Sequence, residues 1–197
     1  MEINGQITEQ TERCNLLKTT IKNYNPTTIV EIGTWKGLGS TKCILDSMEA
    51  NCKFISLETN KHFHEIAKQN LLYYEDKFKL IYGTIVSEDE INEFISSKSL
   101  TNVQKTWLNE DIENIKKCSN VLCDIPEKID LLLLDGGEFS TYNEWLKLKY
   151  RTKIVAIDDI NELKTKEIFK ELTSNIDYEL ICVSNEGNGF AIFKKKI

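Results

Sequence analysis

The stretch that most constrains the fold is residues 28–41, which read TIVEIGTWKGLGST. Its first five residues are β-branched apart from one acid, as expected of a buried strand. Gly33 follows, and glycine adopts backbone conformations that are closed to residues with a Cβ. Helical spacing of apolar residues resumes after Ser40. A strand, a glycine-rich turn and a helix in this order let the backbone approach a nucleoside closely. The stretch therefore predicts an α/β protein with a ligand site at this turn.

The order of the glycines distinguishes between nucleoside ligands. Glycines stand at positions 33, 37 and 39, and Glu31 precedes them. The dinucleotide fingerprint instead reads G-x-G-x-x-G and places a phosphate on the start of the helix. An acid in front of the turn repels a pyrophosphate but pairs with an ammonium group. A nicotinamide-dependent oxidoreductase is therefore the less favoured enzymatic interpretation.

The sequence of this turn, EIGTWKG at residues 31–37, resembles motif I of the class I S-adenosylmethionine (SAM) dependent methyltransferases. In that family the loop faces the methionine end of the cofactor. An ordinary strand-to-helix turn of another α/β protein is the structural alternative. The resemblance implies that five residues of this stretch lie around the cofactor: Glu31, Gly33, Thr34, Gly37 and Ser40.

A second acid follows at the end of the next predicted strand. Residues 53–57 read KFISL and stop at Glu58, which lies 25 positions after Gly33. This interval is close to the roughly 20 residues at which a βαβ unit delivers an acid to a ribose. The resemblance implies that Glu58 binds the ribose and that Thr84, after a third strand at residues 78–82, lies near the adenine. A solvated acid at a strand end is the alternative for Glu58.

The 197-residue chain alternates predicted strands and helices until residues 178–183 and 190–193, which predict a closing β-hairpin. The pattern predicts a Rossmann-like, doubly wound, mostly parallel sheet of seven strands with an antiparallel terminal hairpin. The resemblance implies the strand order 3-2-1-4-5-7-6. We expect one SAM-binding domain over residues 1–197, with an N-terminal helix at about 5–24 and a helical insertion or lid at about 87–128.

Acids end several of the predicted strands. The carboxyl ends of parallel strands meet in one crevice where the strand order reverses, here between strands one and four. A convergence of acids in that crevice predicts cationic, hydroxyl or metal ligands. Six residues are placed in this way: Glu31, Glu58, Asp135, Glu138, Asp158 and Asp159.

The acids after strands four and five resemble the pattern of small-molecule and sugar O-methyltransferases, which commonly show D-G-D-H and then an acid pair or D-N. In metal-dependent members this pattern implies that Asp135, Asp158 and Asp159 hold a divalent cation, and magnesium suits three oxygen ligands. The chain departs from the pattern twice, because Gly137 replaces the second Asp and Glu138 replaces the His base. Glu138 is therefore the first candidate for the general base. Asp135 is the second catalytic candidate, and the resemblance also implies that it contacts the cofactor. The alternative for Glu138 is a purely structural role, because the helix dipole favours an acid in the first turn of a helix.

Charge and composition limit the partners. A net charge of -6 and a pI near 5.1 argue against a nucleic-acid partner, since Lys and Arg dominate phosphate binding. No targeting pattern and no apolar run of about 18 residues occurs, which predicts a cytoplasmic location without a membrane partner. The six cysteines form no C-x-x-C pair and no zinc-ligand spacing, so we expect them to be reduced and mostly buried.

These observations predict a SAM-dependent O-methyltransferase that acts on a hydroxyl of a small molecule, with a sugar or glycan preferred. The cofactor carries the activated methyl group, so the protein's contribution is positioning and proton removal. Besides the oxidoreductase, one alternative is a non-catalytic binding subunit that retains the fold. Gly137 and the missing His are the best arguments for it. The acceptor, the use of a metal and the oligomeric state stay open.

Overall fold

The protein is built around a seven-stranded sheet with the order β3-β2-β1-β4-β5-β7-β6. This computed structural model describes residues 7–196. The β7 strand runs antiparallel to β5 and β6, and the other neighbours are parallel. The predicted order and terminal hairpin are confirmed. The strands are β1 Thr28–Ile32, β2 Lys53–Glu58, β3 Lys79–Tyr82, β4 Ile129–Leu134, β5 Thr152–Asp158, β6 Tyr178–Ser184 and β7 Phe190–Lys195.

Within residues 7–196, seven α-helices and three short 3-10 helices surround the strands, and all but the first lie between two strands in the chain. None of the helices within residues 7–196 is long and apolar enough to cross a membrane. The α-helices are α1 Glu12–Tyr24, α2 Ser40–Leu45, α3 Lys61–Asn70, α4 Glu88–Ile95, α5 Asn102–Lys117, α6 Thr141–Leu148 and α7 Leu163–Ser174. The 3-10 helices are Leu72–Tyr74, Leu122–Asp124 and Lys149–Arg151.

Helices cover both faces of the sheet, which makes the fold doubly wound. Successive strand residues point to opposite faces. Ile29 of β1 therefore packs with the cluster that includes Leu17 of α1, whereas Val30 packs with the cluster that includes Trp145 of α6. Helices α4 to α7 all contribute to the second cluster. This double cover explains why β4 reads almost continuously apolar.

The N-terminal helix is shorter than predicted. It begins at Glu12, and residues 5 and 6 of the predicted range lie outside the described residues. The side chain of Thr11 accepts a hydrogen bond from the backbone N–H of Cys14, which fixes the helix start. Ile7 lies before the helix and is still buried. An apolar residue at helical spacing therefore contributes to the core without being helical.

The predicted insertion contains α4 and α5. Each helix starts with a capping box, formed by Ser87 with Glu90 and by Thr101 with Gln104. Thr84, just beyond β3, forms a parallel β-bridge with Asn120 after α5. The segment thus returns to the carboxyl end of β3 before β4 begins. Whether it moves as a lid stays a prediction.

The prediction that the cysteines are reduced is wrong for one pair. Cys14 and Cys43 form a disulfide that joins α1 to α2. The two cysteines are 29 positions apart in the sequence, so no short motif marked them as partners. Of the free cysteines, Cys52 is buried, Cys118 and Cys182 are partly buried, and Cys123 is exposed.

Candidate active site

A cavity of about 480 Å³ opens at the carboxyl ends of β1, β2, β3 and β4. Its size falls within the roughly 300–1,000 Å³ of small-molecule sites, and its position is the one expected for an open α/β sheet. Among the residues predicted from the sequence, five line it: Gly33, Glu58, Thr84, Asp135 and Asp159. The others do not: Glu31, Thr34, Gly37, Ser40, Glu138 and Asp158.

The turn after β1 is held tightly against its two neighbouring strands. Gly33 has φ +99°, and a Cβ on it would lie 2.1 Å from the carbonyl oxygen of Asp135. Only glycine permits this approach. The backbone N–H groups of Gly33 and Thr34 both donate to the carbonyl of Leu57, at 3.0 and 3.1 Å. The cavity floor is therefore rigid backbone.

Glu31 faces away from the cavity, toward α2. Its buried carboxylate accepts hydrogen bonds from the hydroxyls of Ser40 at 2.6 Å, Thr41 at 2.7 Å and Ser56 at 2.5 Å. Burial raises the pKa of Glu31 to about 7, although the three hydroxyls oppose this shift. Glu31 and Ser40 thus join β1, β2 and α2 below the turn. Neither residue lines the cavity, and their predicted contact with the cofactor stays a prediction.

Glu58 is held by backbone at the end of β2. Its Oε2 accepts from the N–H of Trp35 at 2.6 Å and its Oε1 from the N–H of Asn60 at 2.7 Å. Burial raises the pKa of Glu58, and these N–H groups oppose that shift. Each carboxylate oxygen keeps a further acceptor position. Since Glu58 lines the cavity, those positions are available to a ligand.

The three aspartates predicted as metal ligands do lie together. One oxygen from each of Asp135, Asp158 and Asp159 falls within 4.8 Å of the others. Lys164 of α7 lies between two of them, with Nζ 2.9 Å from Asp135 Oδ1 and 2.8 Å from Asp159 Oδ2. Arg13 of α1 pairs with Asp158 at 3.0 Å. We call these five residues the Lys164 cluster.

The Lys164 cluster does not fit a divalent cation. Burial lowers the pKa of Lys164, but Asp135 and Asp159 outweigh this effect and raise the pKa above its usual range. A protonated amine therefore bridges two of the three carboxylates, in the place of an ion. A metal would have to displace it. Asp159 Oδ1 is buried and has no hydrogen-bond partner among residues 7–196, and it remains able to accept from a ligand.

Two cavity residues have strained backbone. Trp35 and Asp159 adopt left-handed conformations, with φ +49° and +56°. Such conformations are unfavourable for residues with side chains, and they concentrate at functional sites. Trp35 donates its backbone N–H to Glu58, and Asp159 is itself a cavity acid.

Glu138, the predicted general base, does not line the cavity. Its Oε1 accepts from the backbone N–H of Leu163 at 3.1 Å, at the first turn of α7. The adjacent N-cap residue, Glu162, makes no capping bond with its own side chain. Burial raises the pKa of Glu138 to about 7, while Lys164 opposes the shift. The carboxylate therefore caps a helix from the neighbouring loop, and its role as a base stays a prediction.

Asp111 of α5 is a cavity residue that the sequence analysis missed. A Cβ on Gly137 would lie 2.8 Å from Asp111 Oδ2. That oxygen also accepts from the N–H of Phe139 at 3.3 Å. Asp111 thus brings a carboxylate from α5 to the loop after β4, next to Gly137. No signal marked it, because α5 is polar over most of its length.

Glu144 of α6 was also missed, although a signal existed. It shares the buried stripe of its helix with Thr141, Trp145 and Leu148, and an acid at such spacing is unusual. Glu144 is 2% exposed, and its Oε2 has no hydrogen-bond partner among the described residues. Burial raises its pKa to about 8, Ser140 opposes this, and Asp111 adds to it.

Comparisons with known proteins define the class of this fold. The sequence matches no protein-family model and no curated protein sequence. A methyltransferase from Geobacter sulfurreducens superimposes with a TM-score of 0.65 at 12% identity, over 96% of this chain and 81% of that one. An O-methyltransferase from Bacillus cereus in complex with SAH gives 0.65 at 13% identity, over 98% and 84%. The O-methyltransferase TomG from Streptomyces achromogenes, in complex with SAM, gives 0.64 at 12% identity, over 97% and 82%.

The chain therefore has the fold of the class I methyltransferases, with their characteristic strand order and terminal hairpin. At these identities the similarity establishes the fold. The activity has to be argued from the cavity.

Proposed function

We propose that this protein is a SAM-dependent O-methyltransferase that acts on a small molecule. The observation that carries the proposal is Glu58, a buried carboxylate held by two backbone N–H groups at the end of β2 and open to the cavity. Such an acid can accept hydrogen bonds from both ribose hydroxyls. Two of the similar structures were solved with SAH or SAM, in agreement with this use of the fold.

The rest of the cavity suits a sulfonium amino acid nucleoside. Glu58 would hold the ribose, and Asp135, beside the turn at Gly33, would hold the ammonium group. Carboxylates favour a ligand with two positive groups, because charge-assisted hydrogen bonds are the stronger ones. The bound cofactor would supply the activated methyl group.

The chain's own residues would position the acceptor. Lys164 fixes Asp135 and Asp159 in place before any ligand binds, so the site needs little reorganisation. Asp159 Oδ1, which is buried and free to accept, would orient the acceptor hydroxyl. The sugar or glycan preferred from the sequence stays a prediction, because neither the cavity residues nor the similar structures identify it.

Isothermal titration of the purified protein with S-adenosylhomocysteine (SAH) and with NAD tests the proposal. We expect SAH to bind and NAD not to bind. Replacing Glu58 by Ala should weaken SAH binding by about 100-fold, since two hydrogen bonds to a charged group are lost. Glu49→Ala is the matched control, because Glu49 is exposed and does not line the cavity. The proposal fails if SAH does not bind at millimolar concentration, or if Glu58→Ala binds it like the wild type.

A further inference from the structure

The acids that line the cavity outnumber its cations. Among the described residues that line it, Lys164 is the one cation, and both of its ion pairs go to Asp135 and Asp159. SAM would add one net positive charge, because its carboxylate offsets one of its two positive groups. Six acids line the cavity: Glu58, Glu110, Asp111, Asp135, Glu144 and Asp159. Some carboxylates therefore have no counter-charge even when the cofactor is bound.

Two of these acids lie beside Gly136 and Gly137, the residues that follow Asp135. A Cβ on Gly136 would lie 2.9 Å from Glu144 Oε2, and a Cβ on Gly137 would lie 2.8 Å from Asp111 Oδ2. The two carboxylates thus lie against consecutive residues of one loop, next to the acid that would hold the cofactor's ammonium group. A single ammonium group at Asp135 does not balance all three charges.

Two buried oxygens in this part of the cavity point to a ligand. Buried polar atoms almost always have hydrogen-bond partners. Glu144 is 2% exposed and Asp159 is 5% exposed, and Glu144 Oε2 and Asp159 Oδ1 have no such partner within residues 7–196. The hydroxyl of Thr141 does not satisfy Glu144, because it donates to the carbonyl of Gly137 at 2.8 Å. In the proposed function Asp159 takes the acceptor hydroxyl, so Glu144 requires a second donor.

An exposed aromatic residue lies on the same face of α5 as the acids. Residues three and four apart are neighbours on one face of a helix. Trp107 therefore shares the face that carries Glu110, Asp111 and Asn114, which line the cavity, whereas the adjacent Leu108 packs against the core. Trp107 itself does not line the cavity and is 47% exposed. An indole beside carboxylates suits a cationic ligand, because the face of the ring attracts positive charge.

We infer, on the basis of the proposed function, that the methyl acceptor carries an ammonium group in addition to its hydroxyl. The ammonium group binds to Asp111 and Glu144, and the body of the molecule packs on Trp107. The substrate class is therefore a hydroxylated amine. The same acids disfavour acceptors that carry a carboxylate or a phosphate in place of the amine.

The protonation of the two acids agrees with such a ligand. Burial raises the pKa of Glu144 to about 8, and the charge of Asp111 adds to this shift. A positive group in contact with both carboxyls favours their charged forms. A neutral or negative group in the same place does not, so the affinity depends on the charge of the acceptor.

Binding of matched acceptors to the full chain at pH 7 tests the inference. The protein is first saturated with sinefungin, a SAM analogue in which an amine supplies the positive charge of the sulfonium. Tyramine, 4-methylphenol and 4-hydroxyphenylacetate form one set, and glucosamine, glucose and glucuronate form the other. In at least one set the ammonium compound should bind about tenfold more tightly than the neutral one, since a hydrogen bond to a charged group is gained. The carboxylate compound should bind more weakly than both.

Variants test the residues assigned to the ammonium group. Asp111→Asn and Glu144→Gln remove a charge and keep the size of the side chain, so each should lower the preference for the ammonium compound to about threefold or less. Trp107→Ala should weaken binding of that compound by about threefold to tenfold, and Trp107→Phe should retain most of the affinity. The affinity for sinefungin should stay within about threefold of the wild type in all four variants, since Asp135 is unchanged.

Glu113→Gln is the matched control, because Glu113 lies on α5, is exposed and pairs with Lys117. It should keep the wild-type preference. The inference is overturned if the wild type prefers neither ammonium compound, or if Asp111→Asn and Glu144→Gln keep the preference. It is also overturned if these two variants weaken sinefungin binding as much as amine binding, because the two acids then hold the cofactor. If the wild type binds neither SAH nor sinefungin, the proposed function fails together with the inference.

Discussion

The two groups of acids in the cavity differ in their counter-charges. In the Lys164 cluster, three aspartates are paired with a lysine and an arginine at 2.8–3.0 Å. The second group, which we call the α5–α6 pair, consists of Asp111 and Glu144, which line the cavity. Neither has a cation in contact among the described residues, and Glu144 Oε2 has no hydrogen-bond partner there. Acidic side chains therefore form ion pairs within the protein in the Lys164 cluster, whereas those of Asp111 and Glu144 remain available to a ligand.

The strongest test of this comparison removes the cation. Lys164→Met leaves the partly buried Asp135 and the buried Asp159 without this counter-charge, which should lower the free energy of unfolding by about 3–5 kcal/mol at pH 8. Urea denaturation measures this loss. Without Lys164, Asp135 and Asp159 should take up protons in the folded protein at a higher pH than in the unfolded chain. The stability of the variant should therefore recover as the pH falls. Added Mg²⁺ should raise the Tm of the variant and not that of the wild type.

Lys166→Met on the same helix is the control, since Lys166 is exposed. The idea that Lys164 takes the place of an ion is wrong if Lys164→Met is as stable as the control at pH 8. It is also wrong if Mg²⁺ raises the Tm of the wild type as much as that of the variant.

In the α5–α6 pair, removing the charge of Glu144 should stabilise the protein, whereas removing the charge of Lys164 should destabilise it. The pKa of Glu144 in the folded protein, about 8, lies above the ordinary value of a glutamate, 4.5. Its contribution to stability is therefore full below pH 4.5 and is lost as the pH rises through 8. Glu144→Gln should remove this loss, so that the variant is more stable than the wild type at pH 8.5 by as much as about 4–5 kcal/mol. Equal pH dependence of unfolding for the two proteins would contradict an unpaired Glu144.

The smallest expected effect on stability is for Glu138, an acid that belongs to neither group. Glu138→Ala should lower the free energy of unfolding by about 1 kcal/mol, because the N–H of Leu163 loses its cap. The affinity for SAH should stay within about twofold of the wild type, since Glu138 does not line the cavity. Glu162→Ala serves as the control, as that side chain makes no capping bond. A loss of methyl transfer without a loss of stability would restore Glu138 as the base.

The fold could be predicted because its signals are local and repeated. Apolar runs such as residues 129–134 gave the strands, and the alternation with helices gave a parallel sheet. The helix ends were less accurate, since Ile7 is buried without being helical. The period of the pattern identifies an element, but burial of a single residue does not.

The candidate site could be predicted only in part. Parallel strands bring their carboxyl ends together, so Glu58, Asp135 and Asp159 were correctly expected at one crevice. Glu31 lies in β1 near its end and Glu138 follows β4, but Glu31 bonds to α2 and Glu138 caps α7. A position at the end of a strand fixes where the backbone lies, but it does not fix where the side chain points.

The sequence by itself determined the strands and helices and their alternation, the glycine turn and the supply of acids at the edge of the sheet. The tertiary structure decided which acids have partners. Arg13 and Asp158 lie 145 positions apart and meet only when α1 packs beside β5, and Asp111 reaches Gly137 only because α5 returns across the cavity. Local pattern sets the elements because backbone geometry is local, whereas charge pairing depends on distances that packing alone creates.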